Sequence, residues 1–135
     1  MHADPQSLIP RHKLDLERAK ALVQLGYPAV HPVLPELFVW IQDMNWPVAQ
    51  IIAPFLATIG APLIPEIRRV LATSDSIWKY WVLVCIVKEL PVDVVVQLQD
   101  DFQLLLDHLS PDDKAEEVDL ITQEMLAIAK EHAPA

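Results

Sequence analysis

The sequence predicts an all-α protein, a short right-handed α-solenoid of about seven helices stacked in pairs. Glycine occurs only twice, whereas proline occurs twelve times. Few glycines argue against a β fold rich in tight turns, and proline suits the first turn of many short helices. Apolar residues recur near the helical period, and a unit of two helices repeats after 30 residues. Such a repeat is typical of α-solenoids, in which neighbouring units bury each other's apolar faces.

The first helix is predicted over residues 15–25, where apolar side chains follow the helical period. Gly26 is its predicted end. The next helix is predicted over residues 32–42, followed by a turn at 43–46 in which Asn45 is a candidate cap. Its partner helix is predicted over residues 47–59, with Pro47 at the start and Gly60 at the end.

The 30-residue repeat is visible directly in the amino-acid sequence. HPVLPEL at 31–37 recurs as APLIPEI at 61–67, and the turn at 43–45 falls on 73–75. A third unit is looser, with one long helix predicted over 91–109 and a last helix over 114–132. We therefore divide the single domain into five segments: an arm at 1–13, a cap helix at 14–30, repeats at 31–60 and 61–90, and a divergent repeat at 91–132.

Several strings of the sequence resemble a known family: GYPAV at 26–30, PVLPEL at 32–37, QDMNWPVA at 42–49, IGAPLIPEIR at 59–68 and IWKYW at 77–81. They are similar to an uncharacterised bacterial family of short HEAT-repeat-like proteins, which is catalogued as a domain of unknown function. The resemblance runs from about residue 8 to residue 129. It implies a HEAT-like fold and no activity, and it carries over no catalytic residues.

No pattern in the sequence indicates catalysis, a cofactor or a metal. The five histidines are scattered, and the two glycines lie too far apart to cradle a phosphate. Cys85 lies in an apolar run and is interpreted as an inert core thiol. The acidic pairs at 100–101, 112–113 and 116–117 are interpreted as a solvated face or as charges at helix starts. We therefore predict that the protein is not an enzyme and that it has no catalytic, cofactor-binding or metal-binding residues.

The net charge of −9 is unevenly distributed. Residues 1–88 hold 7 acidic and 8 basic residues, whereas residues 89–135 hold 12 acidic and 2 basic residues. An acidic C-terminal third repels phosphates, so nucleic acid is not an expected partner. The acidity is interpreted as an aid to solubility, with a surface for a basic protein as the alternative.

A cytoplasmic location is predicted, without a membrane span. A single cysteine cannot form an internal disulfide, and the first 15 residues contain no apolar signal segment. Residues 46–65 carry no charge and are long enough to cross a bilayer. However, Gly60 and the prolines at 47, 54, 62 and 65 favour a helix that stops and a new one that starts.

The segment 77–87 is apolar on nearly every side, which is typical of a helix that is fully covered or that faces a partner. The second helices of HEAT-like repeats line a concave face, so this segment suggests an interaction surface. The repeat register places Trp78 and Trp81 toward the core, yet Trp78 stays in the candidate set. The candidate residues are Asn45, Trp46, Gln50, Trp78, Lys79, Tyr80, Val84 and Val87. The alternative is a central helix covered by its neighbours.

The favoured function is a non-catalytic protein-interaction module with an unidentified protein partner. One alternative is an acidic inhibitor, such as an immunity-type protein that blocks a basic partner. A second is a HEAT-like enzyme such as a DNA glycosylase, which would need a basic groove. The protein is expected to be either a monomer or a homodimer. The sequence identifies neither the partner nor the biological process.

Overall fold

The computed structural model describes residues 4–134, and this part of the chain is all helical. Within residues 4–134 lie nine α-helices, some of them joined by short 3₁₀ turns. They are α1 (Leu16–Leu25), α2 (Leu34–Val39), α3 (Pro47–Ile59), α4 (Ile64–Leu71), α5 (Ser76–Cys85), α6 (Val92–Gln97), α7 (Gln99–Asp107), α8 (Pro111–Ala115) and α9 (Val118–His132). The all-α class is confirmed. The expected number of about seven helices is too low, because the third unit contains two additional breaks.

The first break divides the predicted helix 91–109 into α6 and α7. At the buried Leu98 the backbone leaves the helical region (φ −96°, ψ 5°), and both helices pack against α9. The second break divides the predicted helix 114–132 into α8 and α9. Here Glu117, the residue before α9, adopts the left-handed conformation (φ 61°), which interrupts the helix. Neither break carries a glycine or a proline, so the sequence gives no signal for them.

The C-terminal ends of α1 and α3 follow the expected chemistry, whereas the start of α3 does not. Gly26 and Gly60, the only glycines, end α1 and α3 with positive φ angles of 75° and 82°. The expected cap at Asn45 is wrong, because Trp46 is the residue that precedes Pro47 and its side chain makes no cap. Asn45 instead donates its backbone N–H to the Asp43 carboxylate at 2.8 Å, which stabilises the turn before α3.

One apolar core runs through the described chain. Helix α2 packs on α4 and α4 on α7, while α3 packs on α5 and α5 on α9. Phe38 and Phe102 are the largest side chains that are fully buried. Trp78 connects the first two units, since its indole N–H donates to the Phe38 carbonyl at 2.9 Å. A buried indole therefore contributes both apolar area and a satisfied hydrogen bond.

Among residues 4–134, no single helix is both long enough and apolar enough to cross a bilayer. Two consecutive segments, Pro47–Ile59 and Ala61–Leu71, reach the length only in combination, and they meet at an angle of 114°.

Candidate interaction face

An open groove of about 790 Å³ lies between α3 and α5, and we call it the α3–α5 groove. Its lining is mostly apolar: Met44, Gln50, Ala53, Pro54, Ala57, Thr58, Val84, Cys85, Glu89 and Pro91. Pro54 has no N–H, so α3 cannot make its usual hydrogen bond to the carbonyl of Gln50. The groove wall therefore combines apolar area with a backbone acceptor that lacks its helical partner.

A second depression, of about 550 Å³, lies where α5 meets the α8–α9 junction, and we call it the acidic pocket. Tyr80 and Trp81 form its aromatic part, with ring centroids 5.3 Å apart at 71°. Its lining residues are Gln42, Asp43, Asn45, Ile77, Tyr80, Trp81, Ala115, Glu116 and Glu117. Both aromatic side chains are half-buried, so their rings are partly available to a ligand.

A shallow depression joins the groove to the pocket. Its lining shares Val84 with the α3–α5 groove, and it shares Tyr80 and Glu117 with the acidic pocket. Large apolar side chains are also exposed here, since Ile77 is 48% exposed and Leu120 is 56% exposed. The groove, the depression and the pocket thus form one continuous surface, which we call the concave face.

The concave face is strongly negative. It contains five carboxylates and one lysine: Asp43, Glu89, Glu116, Glu117, Glu124 and Lys88. Lys88 lies 3.4 Å from Glu124. The other four carboxylates form no ion pair with any cation of the described chain. Uncompensated carboxylates that surround a groove attract cations and repel anions.

Two residues interpreted from the sequence as exposed form a buried ion pair. The Lys79 ammonium lies 2.8 Å from Asp113 Oδ1, and the two side chains are 5% and 2% exposed. The Ser76 hydroxyl donates to the same oxygen at 2.7 Å, and the Ser110 backbone N–H donates to Asp113 Oδ2 at 3.1 Å. The interpretation of 112–113 as a solvated face is therefore wrong for Asp113, whereas the alternative of charges at a helix start is correct for both residues, which lie in the first turn of α8.

Opposing effects determine the pKa of Asp113. Burial by itself raises the pKa, because it disfavours the charged carboxylate. The hydrogen bonds from Lys79 and Ser76, the backbone hydrogen bond from Ser110 and the positive charge of Lys79 outweigh burial, so the pKa lies below its ordinary value. Asp113 is therefore ionised at neutral pH. It ties α8 to α5, immediately before the two glutamates of the acidic pocket.

The structure divides the residues that the sequence indicated as an interaction surface. Asn45 and Tyr80 line the acidic pocket, and Gln50 and Val84 line the α3–α5 groove. Trp46 is half-buried and packs edge-on against Trp40, with centroids 5.5 Å apart. The remaining three are buried and leave the candidate set: Trp78 (8% exposed), Lys79 (4%) and Val87 (0%).

These corrections have a common physical reason. Helix α5 is covered by α4 on one side and by α8 and α9 on others, so only part of its surface faces solvent. Sequence reasoning missed the contribution of α8 and α9 to the concave face, including Glu116, Glu117 and Leu120. The left-handed turn at Glu117 places these residues beside α5, and a non-glycine residue in that conformation has no clear sequence signal.

Cys85 lies in the wall of the groove and is half-buried, rather than in the core as expected. Burial, followed by the negative charge of Glu89, raises the pKa of its thiol. The thiol is therefore protonated at neutral pH and is a poor nucleophile. Within residues 4–134, no group of three His, Cys, Asp or Glu side chains is arranged to hold a metal ion.

The fold and the concave face define a small all-helical protein with an open apolar groove and an acidic rim. The chain belongs to the family described as Domain of unknown function (DUF5071), whose model matches residues 8–126. A comparison with curated proteins gives no match. Membership of this family specifies no activity, so a function has to be argued from the concave face.

Proposed function

We propose that the protein is a non-catalytic interaction module that binds a protein partner on its concave face. The observation that carries this proposal is the continuity of the face: the depression that contains Val84, Tyr80 and Glu117 joins the apolar groove to the acidic pocket. Partly exposed aromatic side chains beside an apolar groove have the character of interface hot spots. The exposed Ile77 and Leu120 extend the apolar area available to a partner.

A HEAT-like stacking of helix pairs is part of this proposal. The contacts of α2 with α4 and of α4 with α7 are those of one row of helices. The contacts of α3 with α5 and of α5 with α9 are those of a second row, which lines the concave face. This arrangement supports a short solenoid with a cap helix and three units, the last of them divergent. A cytoplasmic location remains part of the same proposal.

A second candidate function is inhibition of a basic protein. It is favoured by the four carboxylates of the concave face that have no cationic partner among residues 4–134. Such a protein would block its target by covering a basic functional surface, and its association would weaken steeply as salt screens the charges. Because the same negative face repels the DNA backbone, a DNA glycosylase is disfavoured.

The test compares two alanine-to-arginine variants. Ala57→Arg places a long cationic side chain in the groove, whereas Ala127→Arg makes the same change at an exposed position of α9 that does not line it. Tagged wild type and both variants are used for affinity capture from lysate of the cells that produce the protein, and their melting temperatures and masses in solution are compared.

We expect wild type and Ala127→Arg to retain the same protein and Ala57→Arg to lose it. Equal retention by all three folded proteins would contradict binding in the groove. A wild type that is dimeric in solution and becomes monomeric only as Ala57→Arg would show instead that the face covers a second copy of the chain.

A further inference from the structure

The concave face contains two neighbouring subsites of different chemistry, and their combination specifies what a partner must present. We propose that the occupant is a basic segment of a partner protein. It inserts a large apolar side chain into the α3–α5 groove and an arginine or lysine side chain into the acidic pocket. This inference rests on the proposed function and adds to it the chemistry of the partner.

The acidic pocket suits a cation in both charge and shape. Its half-buried rings, Tyr80 and Trp81, meet edge to face with centroids 5.3 Å apart, and both line the pocket. A guanidinium or ammonium group is attracted to the face of an aromatic ring and forms its strongest hydrogen bonds with carboxylates. Asp43, Glu116 and Glu117 supply those carboxylates, and no cation of the described chain pairs with them.

A metal ion fits the pocket less well than an organic cation. Among residues 4–134, no three potential ligand side chains converge closely enough to form a metal site. In addition, half of the pocket lining is apolar or aromatic, which contributes nothing to coordination of a hard cation. The flat, weakly hydrated guanidinium of arginine uses both the rings and the carboxylates.

The pocket is preorganised by its attachment to the core. The buried Lys79–Asp113 ion pair fixes α8 against α5, and the next turn of chain presents Glu116 and Glu117. Glu117 is held with φ 61°, a left-handed conformation that side chains with a Cβ disfavour.

The groove supplies the apolar half of the recognition. Ala53, Pro54 and Ala57 of α3 face Val84 and Cys85 of α5, and small side chains leave the space open. The depression that contains Tyr80 and Val84 connects the two subsites, so one continuous segment can occupy both. The partner is thus expected to combine an apolar anchor with a nearby positive charge, each read by its own side-chain pocket.

The probe for the test is a displayed library of random linear peptides, selected separately on three proteins. The first is the wild type, and the second is Ala57→Arg, which blocks the groove. The third is the double variant Glu116→Gln, Glu117→Asn, which removes two of the three carboxylates of the acidic pocket and keeps a residue that tolerates a left-handed backbone. The matched control, Asp100→Asn with Glu131→Gln, removes two exposed acidic charges outside the concave face.

We expect the wild type to enrich peptides that carry arginine or lysine close to a large apolar residue, and Ala57→Arg to lose them. An enriched peptide should bind the pocket double variant about tenfold more weakly, and the control pair should change its affinity by less than about twofold. Its binding should also weaken as the salt concentration rises from about 50 to about 300 mM.

The proposed function and the inference about the chemistry of the partner are contradicted by different results. Groove-dependent peptides that lack basic residues, or that bind the pocket double variant as well as the wild type, would overturn the inference and leave the interaction module intact. Absence of any groove-dependent peptide would count against the interaction module itself, and with it the inference.

Discussion

Replacing Asp113 with alanine should severely destabilise the protein, although the sequence places this residue in a highly charged segment. Asp113 is 1% exposed, and its carboxylate accepts hydrogen bonds from Lys79, Ser76 and the backbone of Ser110. Removing it leaves a buried ammonium group without a partner. Loss of one member of a buried ion pair typically costs about 3–5 kcal/mol. A domain of this size is stable by only about 5–15 kcal/mol.

The assay is urea denaturation followed by circular dichroism and tryptophan fluorescence. Asp112→Ala is the matched control, since Asp112 is the exposed neighbour on the same helix and should change stability by no more than about 0.5 kcal/mol. The double variant Lys79→Met, Asp113→Ala removes both charges. It should be more stable than Asp113→Ala alone, because no charge is then buried without a partner.

Equal stabilities of Asp113→Ala and Asp112→Ala would refute this reasoning. That result would mean that the ion pair does not attach α8 to α5, and it would remove the structural basis for a preorganised acidic pocket. A double variant as unstable as Asp113→Ala alone would attribute the loss to the helix cap at Ser110 instead of the unpaired charge.

Four further outcomes follow from the same contacts. Because the native pKa of Asp113 is lowered, its contribution to stability is present above its unfolded pKa of about 3.9, declines as the pH falls below that value and is lost as the pH falls through the lower native pKa. Acid unfolding should therefore begin just below the unfolded pKa in wild type and be less steep in the charge-free double variant. Glu117→Gly should raise the free energy of unfolding by about 1 kcal/mol in urea titrations, and an unchanged or lower value would contradict a strained backbone. Trp78→Phe should lower thermal stability by about 1–3 kcal/mol, since it leaves a buried carbonyl without its indole donor, and a neutral result in calorimetry would argue against that hydrogen bond. Cys85 should be alkylated by iodoacetamide at neutral pH more slowly than a free cysteine, as followed by mass spectrometry, and equal rates would contradict the raised thiol pKa.

The first two units could be predicted closely from sequence because their boundaries carry local signals. Helix α3 was predicted to span residues 47–59, and these are its bounds in the structure. Pro47 has a fixed φ suited to a helix start, and Gly60 adopts a positive φ that other residues avoid. Because HPVLPEL recurs as APLIPEI, the same reasoning predicts a helix where α4 lies.

The third unit could not be predicted as well, because its breaks depend on tertiary packing. At Leu98 the predicted helix is interrupted although neither a glycine nor a proline marks the position. Helices α6 and α7 on either side of it both pack against α9. The burial of Lys79 also escaped prediction. A lysine on an apolar helix normally extends its amine into solvent, and its partner Asp113 is distant in sequence. The part of the concave face that Glu116, Glu117 and Leu120 form depends on these long-range contacts.

The central claim is that a partner contacts the concave face, and site-specific photo-crosslinking in living cells tests it most directly. A photoreactive phenylalanine analogue is placed at Thr58, an exposed position in the groove, or at Gln103, an exposed position of α7 that does not line it. A discrete covalent adduct with one partner protein is expected from position 58 and not from position 103. Adducts of the same kind from both positions, or from position 103 alone, would contradict the proposed face.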